Sequence, residues 1–284
     1  QGEYMTCETF AVTAALDAIL NKGDYISQLC LLELGHQIHQ NGYYPNPWNG
    51  SYPQDILNLI RDYGVVNKFN QSKKVCGGIN YYNPDAPLND PAPNILLEPK
   101  DYHLFSENIL NKKLPYLQDQ AIVYREFFNS PGEYLQDDDV MVKTKGTLQD
   151  SLGRTLSSHE ALNIVKKSLA DGHRVMLGIL VNLEGMPTQG SYLRKNDTWF
   201  LTEQIKRKIT NANQDAIWGG HEIVVYGYDD NAITTDASGQ HQKGLLLVRN
   251  SWGTSKMPDQ GIEFMTYDYF KALALDADTA YLYK

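Results

Sequence analysis

The hydrophobic period changes once along this chain, and that change limits what it can fold into. Up to Gly64 the apolar residues recur at helical spacing. Phe10, Ala11, Ala14, Ala15, Ala18 and Ile19 mark a first helix, with Thr6 as its N-cap. Ile26, Leu29, Cys30, Leu32 and Leu34 mark a second over Tyr25 to Gln40. Ile56, Leu57, Ile60 and Tyr63 mark a third, with Pro53 early in it and Gly64 as its stop. Ser157 and Glu160 make a capping box for Ala161 to Ala170, which Gly172 closes. From there Arg174 to Asn182, Glu222 to Tyr228 and Gly244 to Arg249 read as strands, the last two separated by a polar turn from Asp229 to Gln240. Helices first and strands after predict an α+β chain, with a helical lobe over 1–140 and a β-rich lobe over 141–284. Residues 67–140 are rich in proline and acid, with a short helix expected around Glu107 to Leu110, and they read as an insertion. Residues 184–215 and 229–243 read likewise.

Composition narrows the function classes. The 284 residues, 42% hydrophobic, suffice for one large core or two lobes. With 25 basic against 34 acidic residues and a net charge of −9, a broad phosphate-binding face is not expected, so nucleic acid is not a partner. No apolar run approaches the roughly 20 residues of a membrane span, and no basic-then-apolar leader opens the chain. A soluble, processed protein is therefore expected. Three cysteines leave one thiol over even if Cys30 and Cys76 are bonded, a pairing the sequence leaves open. The 19 tyrosines and many asparagines suit a secreted or otherwise exported protein; the sequons Asn70-Gln71-Ser72 and Asn196-Asp197-Thr198 carry meaning only in a eukaryotic secretory setting.

Cys7 falls in the first turn of the first helix, where backbone N–H groups and the positive dipole end favour a thiolate. On the helix alone, a buried core thiol is the simpler reading. Downstream partners change that. His221 stands just before the strand Glu222 to Tyr228, and the strand Gly244 to Arg249 runs into Asn250-Ser251-Trp252-Gly253. Antiparallel pairing of the two strands would set His221 beside Asn250. The imidazole would take the thiol proton, and the asparagine carbonyl would hold the other ring N–H in the productive tautomer. Trp252 would shield that bond from water. Elsewhere, His36 and His39 have metal-ligand spacing but no third ligand, so a polar helix face is the simpler reading. Asp229, Asp230, Asn231 and Asp236 do not match calcium-loop spacing and read as a solvated hairpin tip. No metal or cofactor is expected.

Taken together, Gln1-Gly2, Cys7, Phe10-Ala11, Asn49-Gly50-Ser51-Tyr52-Pro53, Tyr63-Gly64, Gly220-His221, Gly227-Tyr228 and Asn250-Ser251-Trp252-Gly253-Thr254 resemble the papain-like cysteine peptidases. The resemblance implies a helical left lobe and a β-rich right lobe with a barrel-like antiparallel sheet, with the active-site cleft between them. It implies catalysis by Cys7, His221 and Asn250, with the side-chain amide of Gln1 and the Cys7 N–H as oxyanion donors. A peptide or protein substrate would pair with Gly50 and Ser51. Its second subsite would have Tyr52 and Pro53 on the wall and Glu222 near the floor, unless Glu222 turns to solvent or meets an arginine. Gly220 and Trp252 would line the same groove. An N-terminal inhibitory propeptide is a further implied partner. Residues are expected upstream of Gln1, because a terminal glutamine can cyclise and lose the donor amide.

Several positions depart from that family. Glu8 follows the nucleophile where tryptophan is usual, and Tyr4 and Trp48 occupy the two ends of a family disulfide, which predicts that these rings pack together instead. The second family tryptophan is replaced within Ser255 to Pro258. His221 and Asn250 stand much further from Cys7 than the roughly 130–150 positions of the family, so about 80 residues are inserted. Two other readings share the residues. One is a thiol acyltransferase or deamidase, which Gln1 and the Asn250-Ser251-Trp252 context disfavour. The other is an inactive papain-like binding protein, which the joint presence of Cys7, His221, Asn250 and Gln1 disfavours.

Overall fold

The computed structural model describes residues 1, 5–40, 46–73, 76, 102, 104–107, 117–125, 148–149, 154–210, 218–252 and 261–282. The chain divides into two compact units. One holds Gln1–Asp119, Asn250–Gly261 and Ala280–Lys284; the other holds Gln120–Arg249 and Ile262–Thr279.

In the first unit, α1 (Cys7–Leu20), α2 (Gln28–Gln40) and α3 (Pro53–Tyr63) supply the core, followed by the short α4 (Lys68–Ser72). The buried face of α1 is turned from the one its alanines suggest: Val12 and Leu16 are buried with Ala11 and Ala15, while Phe10, Ala14, Ala18 and Ile19 are half-exposed. The turn buries Thr9, Thr13 and Asp17 as well, and the last two have partners outside the apolar core. The Thr13 hydroxyl donates to the Thr9 carbonyl at 2.8 Å and accepts from the Gln28 amide at 3.0 Å. The Asp17 carboxylate accepts the backbone N–H groups of Tyr25 and Ile26. Those bonds hold Tyr25 to Ser27 out of the helix, and Ile26 bridges to Asn67 instead. So α2 begins at Gln28 and not at Tyr25, with Ser27 Oγ accepting the Cys30 N–H at 3.0 Å. The third helix starts at Pro53 and stops at Gly64, whose φ of 77° favours a residue without Cβ. Cys30 is bonded to Cys76, with Cα atoms 5.2 Å apart. Glu107 forms an antiparallel bridge with Val65, so it is not helical; residues 108–110 of the expected helix lie outside the described residues.

Among the described residues, ten strands make the sheet, in the order β3-β2-β1-β10-β4-β7-β5-β6-β9-β8. They are β1 (Leu117–Arg125), β2 (Leu148–Gln149), β3 (Thr155–Leu156), β4 (Arg174–Asn182), β5 (Gly190–Ser191), β6 (Thr198–Trp199), β7 (Trp218–Asp236), β8 (His241–Arg249), β9 (Ile262–Thr266) and β10 (Ala274–Leu282). A further pairing of β7 with β8 closes the circuit β7-β5-β6-β9-β8, which is the barrel-like part of the second unit. That unit also carries α5 (Ser158–Ala170), α6 (Glu203–Thr210) and α7 (Tyr267–Leu273). Ser157 caps α5, and its backbone N–H and the Glu160 N–H exchange bonds with each other's side chains.

The polar turn expected from Asp229 to Gln240 is mostly strand. β7 continues to Asp236 through an irregularity between Asp229 and Ile233, and the reversal is confined to Asp236–Gln240, where the Asp236 carboxylate accepts the N–H groups of Ser238 and Gln240. Asp229 accepts the Asn231 N–H, and Asp230 binds Lys166 and the Tyr267 hydroxyl, so these acids serve local donors along a strand and do not form a hairpin tip.

Candidate active site

The candidate groups divide between the two units. Gln1, Cys7, Gly50 to Pro53, Asn250 and Trp252 belong to the first; Gly220, His221 and Glu222 belong to the second.

Cys7 opens α1, and among the described cysteines it is the one outside the disulfide. Thr6 holds the N-cap position but makes no side-chain capping bond; the helix ladder starts with the Phe10 N–H donating to the Thr6 carbonyl at 3.2 Å. The Cys7 N–H lies ahead of that first donor, at the end where the backbone dipoles add to a partial positive charge. A thiol at 5% exposure in that position is held in place by core packing.

Two strips of chain meet near it. Met5 forms a parallel bridge with Asn49, which brings the approach to Cys7 alongside Gly50 and Ser51. Gly50 has a φ of 94°, Tyr52 is exposed and Pro53 is buried as the first residue of α3. Gln1 is tied to the other end of the chain. Its main-chain nitrogen donates to the Ser251 carbonyl at 2.9 Å, and the Ser251 hydroxyl donates to the Gln1 side-chain oxygen. With the oxygen edge of that amide occupied by Ser251, its NH2 edge is the one turned elsewhere. The Asn250 N–H donates to the Gly261 carbonyl at 2.8 Å, and Asn250 Oδ1 accepts the Ser251 N–H at 2.7 Å. Gly261 must be glycine: its φ is 83°, and a Cβ there would lie 2.4 Å from the Asn250 carbonyl oxygen.

In the second unit, His221 and Glu222 are successive residues of β7, paired with Ile179 and Gly178 of β4, so their side chains point to opposite faces. Both are buried, so Glu222 is not turned to solvent. Antiparallel pairing sets Val224 opposite Arg249, the residue before Asn250.

Sequence reasoning missed three features. Ser251 stands in the sequence as part of the Asn-Ser-Trp context, with no sign that it anchors Gln1. Glu33 on α2 is completely buried; burial pushes its carboxyl up to about 7, while the Trp48 side chain beside it pulls the other way. Trp199 stacks near His221. Tyr4 lies outside the described residues, so the expected Tyr4–Trp48 packing does too. Among the described residues no cluster of three metal-ligating side chains occurs, and no helix is long and apolar enough to cross a membrane.

Compared by sequence, the chain matches no protein-family model and no curated protein. Compared by structure, it is similar to the cysteine protease and lectin-like domains of Cwp84, a surface layer associated protein of Clostridium difficile. The identity is 14% and the TM-score 0.56, over 100% of this chain and 47% of that one. It is similar to PepW from Lactobacillus rhamnosis at 16% identity and a TM-score of 0.52, over 98% of this chain and 78% of that one. Xylellain, a cysteine protease from Xylella fastidiosa, aligns at 16% identity and a TM-score of 0.46, over 98% and 80% of the two chains. At the level of fold, the helices of one unit and the barrel-like sheet of the other are the α+β, two-lobe fold of the papain-like cysteine proteases.

Proposed function

We propose that the chain is a cysteine peptidase that hydrolyses peptide bonds through a Cys7–His221 ion pair. The observation that carries the reading is the tie between Gln1 and Ser251. It fixes the donor edge of an amide six residues before a helix-terminal thiol, using the residue that follows Asn250. In the reaction His221 takes the proton of Cys7, and the thiolate adds to the scissile carbonyl. The Gln1 amide and the Cys7 N–H stabilise the oxyanion that forms. The imidazolium then gives its proton to the leaving amine, and water hydrolyses the thioester with His221 as base. Asn250 holds the imidazole in the tautomer that faces sulfur, and Trp252 covers that bond. Gly50, Ser51, Tyr52, Pro53, Gly220 and Glu222 bind the substrate chain.

Export and an N-terminal propeptide belong to the same proposal; the Cys30–Cys76 disulfide supports an oxidising compartment. Turnover of a fluorogenic peptide library tests the reading. Wild type cleaves, Cys7→Ala does not, and Gln1→Ala loses about 100- to 1,000-fold in kcat. Cleavage undiminished in Cys7→Ala, or no peptide cleaved by wild type, contradicts it.

A further inference from the structure

The His221 ring lies nearly parallel to the indole of Trp199, with 18° between the planes and 6.3 Å between centroids, within the range over which aromatic rings attract. That indole cannot turn. Its N–H donates to Glu263 Oε2 at 2.7 Å, and Tyr269 meets it edge-on at 5.6 Å and 75°. The backbone beneath it is equally fixed: Trp199 pairs with Met265 of β9, and the Asp197 carboxylate gathers the N–H groups of Tyr192, Leu193 and Arg194. The Tyr269 hydroxyl donates to the Leu180 carbonyl of β4 at 3.2 Å, one residue from the Ile179 that pairs with His221. The set closes on itself, from β4 through Tyr269 and Trp199 to His221 and back to β4.

We propose that Trp199, anchored by Glu263, is the positioning residue of His221. The proposal rests on the peptidase reading, in which one imidazole nitrogen must face the sulfur of Cys7. A rigid wall parallel to the imidazole removes rotation about its Cβ–Cγ bond. The indole face also carries negative potential, so it favours the ring once it has taken the proton. Glu263 is buried, and its oxygen satisfies an indole N–H that would otherwise be buried without an acceptor. Of the ionisable groups on these elements, Glu263 of β9 and Tyr269 of α7 touch the indole, and Glu222 lies on the opposite face of β7 from His221. Burial holds the Tyr269 hydroxyl well above its ordinary range, so it stays protonated, and β4 presents the uncharged Ile179.

Four variants and one spectrum test this. Glu263→Leu, which removes the acceptor, and Trp199→Leu, which removes the wall, are expected to lower kcat by up to about 100-fold with KM little changed. Glu263→Gln keeps an acceptor oxygen and restores the rate, a rescue that bulk packing alone would not require. In Trp199→Leu the alkaline limb of kcat/KM, where the imidazolium loses its proton, moves down by about half a pH unit. Trp199→Phe leaves a ring in the core and so reports on the lost N–H in a folded protein. The spectrum is read in 15N-histidine-labelled Cys7→Ala protein, with no turnover needed: the His221 ring protons are shifted upfield by the indole and move downfield in Trp199→Leu. Ring signals unchanged by that substitution overturn the proposal whether or not the chain cleaves peptides. So do equal losses in Glu263→Gln and Glu263→Leu.

Discussion

Glu33 is a carboxyl group inside a helix core, and its state decides how stability depends on pH. Burial raises its carboxyl from an ordinary 4.5 to about 7, so the folded protein holds a proton that the unfolded chain releases. The stability it contributes is complete below about pH 4.5 and is lost as pH rises through 7. Asp17, pushed up to about 6 mainly by burial, acts in the same direction. Glu33→Gln is therefore expected to match wild type near pH 4.5 and to exceed it at pH 8, by on the order of 3 kcal/mol. Denaturant midpoints at the two pH values check this, and a gain at pH 4.5 alone would contradict it. Glu222 is the residue for specificity. As a buried carboxyl in the proposed second subsite, it favours a basic or polar side chain, and Glu222→Ala is expected to change the library preference more than the overall rate. An unchanged profile removes that role.

At the scale of elements, legibility followed punctuation and two-sided burial. Pro53 and Gly64 bracket α3 at its observed ends, and Ser157 with Glu160 marks the start of α5. β4 was readable end to end because its seven inner residues are all buried, leaving an unbroken apolar run. α6 was not, since Ile205 alone is buried in it and no stripe forms. The far half of β7 reads as a turn in sequence because its polar residues alternate along an exposed ribbon whose register slips at Asp229. In the site, Cys7, His221 and Asn250 stood out through local sequence context. The Trp199–Glu263 contact did not, because it joins residues 64 apart whose pairing only the β6–β9 register creates. The disulfide belongs to this scale as well: it fastens α2 to Cys76 across 46 positions. Replacing both cysteines by serine is expected to cost about 2–5 kcal/mol, read as a lower denaturant midpoint. An unchanged midpoint would show that the loop is already constrained without it.

The whole molecule assigns its proposed chemistry to two units joined by chain crossings, with the thiol, the amide donor and the asparagine in one and the imidazole in the other. Residue 250 returns the chain to the first unit directly from the end of β8, so one short segment carries Asn250 and the Ser251 that holds Gln1. The account thus turns on a proton shared between Cys7 and His221. The direct measurement is the rate of iodoacetamide alkylation of Cys7 from pH 4 to 9, followed by peptide mass, in wild type and in His221→Ala. The account predicts fast labelling of wild type well below the free-thiol pKa of about 8.5, and a rise near that value once the imidazole is gone. Identical profiles, both rising near the free-thiol value, would contradict it.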